Sequence, residues 1–254
     1  MAARIDRVGQ TGESNTCGNM KIIKYVNAKN ITVQFDTGTV VTTRYQEFKK
    51  GQVKDNLAKT ICGVGYTGIG NYKCVENGKI TKSYNLWKRM IERVYNPYNL
   101  NNSPSYVNVT ICDDWMDYQQ FAAWWNNNFY EIPNETMHLD KDILSGKINN
   151  KVYSPDCCSF VPSSINHLLS KSEGIRGNCL LGTSFDKHRN KYNAQLRVDG
   201  ENIHLGAFTT EQEAFITYKT AKEKNIKRMA NLYKDQIPDR VYKALYNYKV
   251  ETTD

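Results

Sequence analysis

Two stretches of this chain carry side chains whose types and spacing suit chemistry on a polyanion or a cation. The first is the turn Asp186-Lys-His-Arg-Asn-Lys191 and the run behind it, where Asn193, Gln195 and Arg197 alternate with Ala194, Leu196 and Val198. Strand side chains alternate in direction, so an extended run places the three polar residues on one face and the three apolar ones on the other. Arginine pairs bidentately with guanine, Asn and Gln pair with adenine, and lysine meets phosphates. Lys187, His188, Arg189, Lys191, Asn193, Gln195 and Arg197, with His204 on the following run, are therefore the candidate DNA contacts. A solvated sheet face carries the same residue types, and the charge around them has to separate the two. The second stretch, residues 138–170, is the least regular part and holds the densest polar chemistry, including Leu139-Asp-Lys-Asp-Ile-Leu144, Tyr153-Ser-Pro-Asp-Cys-Cys-Ser-Phe-Val-Pro162 and Ile165-Asn166. It falls in an acidic region that is either a cation site or an ordinary acidic surface.

The distribution of charge supports a polyanionic partner. The net charge over 254 residues is +8. Residues 1–104 carry 16 Lys/Arg against 7 Asp/Glu, residues 105–160 carry 3 against 8, and residues 175–234 carry 11 against 6. An acidic middle thus lies between two basic flanks, and basic surfaces gain affinity for nucleic acid by releasing its counterions. The length suffices for two or three small domains. A composition of 40% hydrophobic and 24% charged residues is that of a soluble globular protein. No run approaches the ~20 apolar residues of a membrane span, and Met-Ala-Ala-Arg at the start has no apolar signal core behind it. A cytoplasmic protein without a membrane partner is expected. Seven scattered cysteines suit free thiols in a reducing compartment.

The elements that must position these residues predict an α+β fold. Residues 20–58 read as short strands: Met20–Val26, then Ile31–Phe35, the turn Asp36-Thr37-Gly38, and Thr39–Tyr45. Gly63-Val-Gly-Tyr-Thr-Gly superficially resembles a phosphate loop, but no clear strand precedes it and no helix follows directly, so it reads as a connection. Leu86, Trp87, Met90, Ile91 and Val94 predict a helix over 83–95 that Asn96-Pro97 ends, with a loop over 96–104. Trp115, Tyr118, Phe121, Ala122, Trp124 and Trp125 predict a second helix over 115–129. Asp199-Gly200 between two strand-like runs predicts a tight hairpin. Thr210-Glu-Gln-Glu213 is a capping box that opens a helix to about Leu232, with Ala214, Tyr218 and Ala221 on one stripe. A last helix is expected over Pro238–Tyr248.

Arg176-Gly177, Leu181-Gly-Thr-Ser-Phe185, Tyr192-Asn-Ala-Gln-Leu-Arg-Val198, Ile203-His-Leu-Gly-Ala-Phe208 and Thr209-Thr-Glu-Gln-Glu-Ala-Phe215 together resemble an AP2 domain, found in plant transcription factors and in mobile or phage-borne nucleases. The resemblance implies a three-stranded sheet on one helix, with the sheet in the DNA major groove and Arg189, Gln195, Arg197 and His204 at the matching positions. This chain is poorer in arginine than the plant domains.

The middle stretch resembles the degenerate HNH segments of phage and mobile-element proteins, through Val109-Thr-Ile-Cys-Asp-Asp-Trp115, Leu139–Leu144, Tyr153–Pro162 and Ile165-Asn166. That family hydrolyses DNA phosphodiesters with one divalent metal, Asp/Asn ligands and a His general base. The resemblance implies Asp140 (or Asp142) as acidic ligand, Asn166 as last ligand, and Asp140, Asn166 and His138 as the catalytic set. His167, beside Asn166, is a second candidate base. Cys157 stands where the family has an Asn, and His138 precedes Asp140 by two residues instead of adjoining it. Structural zinc at Cys157-Cys158 with Cys112 or Cys179 has little support, because zinc sites use paired C-x₂₋₄-C spacing. The β-rich segment 20–58, ending in Tyr45 and Phe48-Lys-Lys-Gly51, resembles the leader that precedes this combination.

These readings give three expected domains: a small β unit over 1–60, an HNH-like ββα-type domain over 61–174, and the AP2-like module with its C-terminal helix over 175–254. The expected function is a phage or mobile-element DNA-binding protein whose HNH-like domain is catalytically degenerate, with double-stranded DNA as partner and a divalent cation only if the HNH-like site is active. The alternatives are an active homing-type endonuclease using Mg2+ or another divalent cation, and an inhibitor of a host defence protein or ribonucleoprotein.

Overall fold

The computed structural model describes residues 6–102, 106–145, 151–169 and 179–252, so Arg176-Gly177 lies outside the described residues. The fold is α+β, built from helices of 5 to 22 residues and several small sheets. It forms two compact units: residues 1–128 with 151–154, and residues 129–150 with 155–254.

The first unit begins with a four-stranded antiparallel sheet in the order β1-β2-β3-β4: β1 (Thr11–Ser14), β2 (Gly18–Asn27), β3 (Asn30–Phe35) and β4 (Val40–Thr43). The alternation of Ile31, Val33 and Phe35 buries all three, with Met20 and Ile22 opposite. The strand expected to run to Tyr45 stops two residues earlier and turns into α1 (Tyr45–Lys49). The Glu47 carboxylate drives that turn: it accepts hydrogen bonds from the Thr43 hydroxyl and from the Arg44 backbone N–H, the latter at 3.3 Å. Phe48 then closes the core under the sheet.

A small hairpin, β5 (Val75–Glu76) and β6 (Lys79–Ile80), turns through Asn77 and Gly78, both at positive φ as a primed turn requires. Helix α2 (Lys82–Tyr95) starts at the Thr81 cap and buries Trp87, Met90, Ile91 and Val94, as the periodicity predicts. Beyond Asn96-Pro97 the chain forms another short helix, α3 (Pro97–Asn102), where a loop is expected. The expected helix 115–129 is broken: Trp115 lies in a 3-10 turn (Asp113–Met116), Asp117 is extended, and α4 runs Tyr118–Asn128. The Asp117 carboxylate accepts from the Gln119 N–H at 2.8 Å and so starts α4 afresh. Trp87 Nε1 donates to the Trp115 carbonyl at 2.7 Å, satisfying the one polar atom of a fully buried indole. Strand β7 (Thr110–Ile111) pairs in parallel with β9 (Val152–Tyr153), which is how residues 151–154 join this unit.

In the second unit, β8 (Met137–Asp140) pairs antiparallel with β10 (Ser159–Pro162), and α5 (Ser163–Leu169) follows at once. A three-stranded antiparallel sheet, β11 (Thr183–Asp186), β12 (Lys191–Val198) and β13 (Glu201–Phe208), lies against α6 (Glu211–Leu232). Asp199 and Gly200 are both at positive φ, the geometry of the expected hairpin turn. The capping box forms: Thr210 accepts from the Glu213 N–H at 3.3 Å, and Glu213 accepts from the Thr210 N–H at 3.1 Å. The final helix, α7, spans Asp239–Tyr246 with Pro238 at its cap. Val161 and Ile165 of the ββα element share one core with Ala194, Leu196, Ala214, Phe215, Tyr218, Val241 and Leu245. Residues on both sides of position 174 therefore belong to a single hydrophobic core. Among the described residues no helix is long and apolar enough to cross a membrane, and no disulfide is present.

Candidate nucleic-acid interface

The three-stranded sheet has one apolar face and one polar face. Ala194 and Leu196 are buried against Ala214, Phe215 and Tyr218 of α6, while Lys191, Gln195 and Arg197 are exposed and Asn193 is half-buried on the opposite side. A β-bulge decides what stands beside them. Ala194 pairs with Gly206, but Gln195 pairs with His204, so Leu205 is the extra residue on β13. The slip exchanges the two faces of β13 before and after it. Without it His204 would point into the core; with it His204 stands across from Gln195, and Asn202 stands across from Arg197. Ser184 of β11 faces Asn193 from the other side. The exposed surface thus extends over three strands as Ser184, Asn193, Gln195, Arg197, Asn202 and His204. Asn202 and Ser184 were not legible as contacts. Cross-strand register would have been needed; Gly206 inside the strand, at φ +142°, is a local sign of a bulge but does not fix which residue is extra.

The turn before β12 is held by Asp186, whose carboxylate accepts from the N–H groups of His188 at 3.0 Å and Arg189 at 3.2 Å. Lys187, His188 and Arg189 project from it and are exposed. Arg189 Nε sits 3.9 Å from Asp186, a loose contact that leaves the guanidinium near the turn. Arg197 Nε donates to the Gly200 carbonyl at 3.3 Å, which holds that side chain over the hairpin end. Asp199, the acid at that end, is taken up by Arg228 of α6 at 2.9 Å. Asp186 and Asp199, two of the acids bordering the polar face, are thus already engaged.

The ββα element gathers some of the other candidates. Asn166 on α5 lies with its Nδ2 3.2 Å from Nδ1 of His138 on β8. With the amide donating, Nδ1 is an acceptor and the ring proton resides on Nε2. The rings of His138 and His167 meet edge-on with centroids 6.0 Å apart. The two aspartates have other work. Asp140 Oδ1 accepts from the N–H groups of Asp142 at 2.9 Å and Ile143 at 2.8 Å, so it pins the turn after β8. Burial pushes its carboxyl above the ordinary value despite those bonds. The Asp142 carboxylate is gripped by Lys141 Nζ at 2.7 and 2.8 Å. Among the described residues no group of three His, Cys, Asp or Glu side chains is arranged to hold a metal ion, Cys157 and Cys158 included. His138, Asn166 and His167 present two imidazoles and an amide, whereas Mg2+ is held through oxygen ligands, usually one or two carboxylates. The donors that converge here do not fit that ion.

No protein-family model, curated protein or solved structure matches the chain.

A network that sequence reading did not find ties this element to the sheet module. Glu135 accepts from the hydroxyls of Tyr233 and Ser163, the latter at 3.0 Å, and Ser164 donates to Tyr233 at 2.9 Å. Lys222 of α6 donates to the Leu168 carbonyl at the end of α5 at 2.6 Å. These links join residues 28 to 98 positions apart, beyond any local pattern.

Proposed function

We propose that this chain is a duplex-DNA-binding protein of phage or mobile-element type. Its β11–β13 sheet enters the major groove, and its β8–β10–α5 element is an HNH-like scaffold that does not cleave. The observation that carries the reading is the polar sheet face: Asn193, Gln195, Arg197, Asn202 and His204 stand together on the side that α6 does not cover. A two- or three-stranded ribbon fits the major groove, and the AP2-like motif makes the same assignment. Lys187 and Arg189 at the exposed turn are placed for backbone phosphates. The engagement of Asp140 and Asp142 elsewhere favours a scaffold over a metal site.

Fluorescence anisotropy with a randomised duplex library tests it. Arg197→Ala and Gln195→Ala each cost about 1–3 kcal/mol on preferred sequences and relax the preference at one position. Lys187→Ala weakens all duplexes alike and reduces the salt slope by about 1. No duplex binding, or binding indifferent to salt, refutes the reading. The endonuclease alternative draws on one observation, the convergence of His138, Asn166 and His167. It predicts nicking of plasmid with Mg2+ or Mn2+ that Asn166→Ala abolishes; intact plasmid under both metals excludes it.

A further inference from the structure

A second basic feature lies in the other unit, where the β11–β13 sheet has no part. Past the end of α2, Asn96-Pro97 turns the chain, and the Asn96 side chain starts α3 by accepting from the Tyr98 N–H at 3.0 Å. Asn99 Nδ2 then donates to the Glu92 carbonyl at 2.9 Å and locks α3 to the last turn of α2. Between the two helices is a cavity of about 270 Å³ lined by Arg89, Glu92, Arg93, Asn99 and Asn102. Its volume falls just below the ~300–1,000 Å³ of pockets for drug-sized ligands, which suits a small charged group.

The charges in that lining are unbalanced. Arg89 and Arg93 are four residues apart and so share a helix stripe. Among the described residues neither has a carboxylate within ion-pair distance, and the one acid of the lining, Glu92, is paired with Lys88 at 3.6 Å. Arg93 is also held in place. Its guanidinium sits 5.5 Å from the centre of the Tyr106 ring and donates to the Tyr153 hydroxyl at 3.3 Å. Tyr153 is 2% exposed, and burial pushes its phenol well above the ordinary range, so it stays neutral at pH 7. The guanidinium is therefore fixed by neutral partners and keeps its whole charge. A guanidinium has five donors in a planar fork, and this one turns some of them to the phenols of Tyr153 and Tyr106 and keeps others to spare. A pre-positioned fork beside a second arginine matches the oxygens of a phosphate. The sequence that holds the pocket is basic overall, with 16 Lys/Arg against 7 Asp/Glu over residues 1–104.

We infer that the α2–α3 pocket is a phosphate-binding site for the backbone of a polynucleotide, with Arg93 as the fixed fork and Arg89 as its companion. A backbone contact carries no sequence information. This site would add affinity for any duplex and leave discrimination to other residues.

The test uses the full chain and duplexes of several sequences, with affinity measured from 50 to 300 mM salt. Arg89→Gln is exposed and tests the companion; Arg93→Lys keeps the charge and removes the fork. Both variants are checked for native circular dichroism. Arg89→Gln is expected to lower the slope of log K against log[salt] by about 1, the value of one phosphate contact. Arg93→Lys is expected to weaken every duplex by the same factor. Wild-type slope and affinity in both variants overturn the inference, as does a loss confined to particular sequences. Phosphorus NMR with inorganic phosphate separates the sources. Saturable phosphate binding in the pocket combined with unchanged duplex binding in the variants assigns the site to free phosphate and also overturns it. Arg197→Ala runs beside them: a sheet that does not read DNA leaves that variant at wild-type affinity while Arg89→Gln still lowers the slope.

Discussion

Replacing Asp140 distinguishes a side chain that shapes a turn from one that serves a metal. Its Oδ1 accepts from the N–H groups of Asp142 at 2.9 Å and Ile143 at 2.8 Å, a local capping arrangement. Asp140→Ala leaves both donors without that partner, and losing a cap of this kind costs about 0.5–2 kcal/mol. Asp140→Asn keeps an acceptor in the same place and discards a charge that burial disfavours. The direction with pH follows from the raised carboxyl. A folded-state value above the unfolded one makes the contribution full below the unfolded value, about 3.9, and lost as pH rises through the folded value. The stability of Asp140→Asn relative to wild type is therefore expected to grow as pH rises through that window. The Asn variant should equal or exceed wild type at pH 7, with the Ala variant clearly below both. Urea denaturation followed by far-UV circular dichroism and amide exchange along α6 reads the effect. Tryptophan fluorescence does not, because Trp87, Trp115, Trp124 and Trp125 all lie in the other unit. An Asn variant as unstable as the Ala variant at pH 7, or a relative stability that falls with pH, refutes the reasoning.

Three further outcomes follow from the same unit. Gly182 has φ +72°, and a Cβ there would stand 2.0 Å from the Tyr218 ring, so Gly182→Ala is expected to cost at least about 2 kcal/mol in a thermal or urea melt. Thr210→Ala removes half of the capping box and is expected to cost about 1 kcal/mol, with the first-turn amides of α6 exchanging faster. Burial pushes the Glu135 carboxyl up, but hydrogen bonds from Tyr233, Ser164 and Ser163 outweigh it and hold the value below the ordinary one. Its contribution is present above the unfolded value, about 4.3, and is lost as pH falls through the folded value. Glu135→Gln should therefore flatten the acid limb of the stability profile, and an unchanged limb would contradict this.

The parts legible in the sequence are those that local physics specifies. Asp199-Gly200 can only be a tight turn between alternating runs, and it is one. The helix from the Thr210 cap to Leu232 has both ends where the capping box and periodicity put them. The misreadings also have local causes. Thr39–Tyr45 has strand propensity, but Glu47 caps the chain into α1, and Asp117 divides the aromatic helix by the same means. Asn77-Gly78 is a local hairpin signal too, and it turns β5 into β6. What stayed out of reach is non-local. The parallel pairing of Thr110-Ile111 with Val152-Tyr153 joins distant segments through two residues each, too short for periodicity to register. The core shared by Val161, Ile165, Leu196 and Tyr218 depends on tertiary packing alone. In the candidate interface, alternation revealed Asn193, Gln195 and Arg197. Asn202 required the bulge at Leu205, for which Gly206 in the run Ile203-His-Leu-Gly206 is a sign that does not fix the register.

The central claim concerns the polar face of the β11–β13 sheet, and nitrogen-15 NMR of the labelled chain titrated with duplex DNA tests it most directly. The account predicts shifts that saturate together at Asn193, Gln195, Arg197, Asn202 and His204, with the buried partners Ala194 and Leu196 responding least. A titration that leaves those five residues in place while the duplex binds elsewhere on the chain would contradict it.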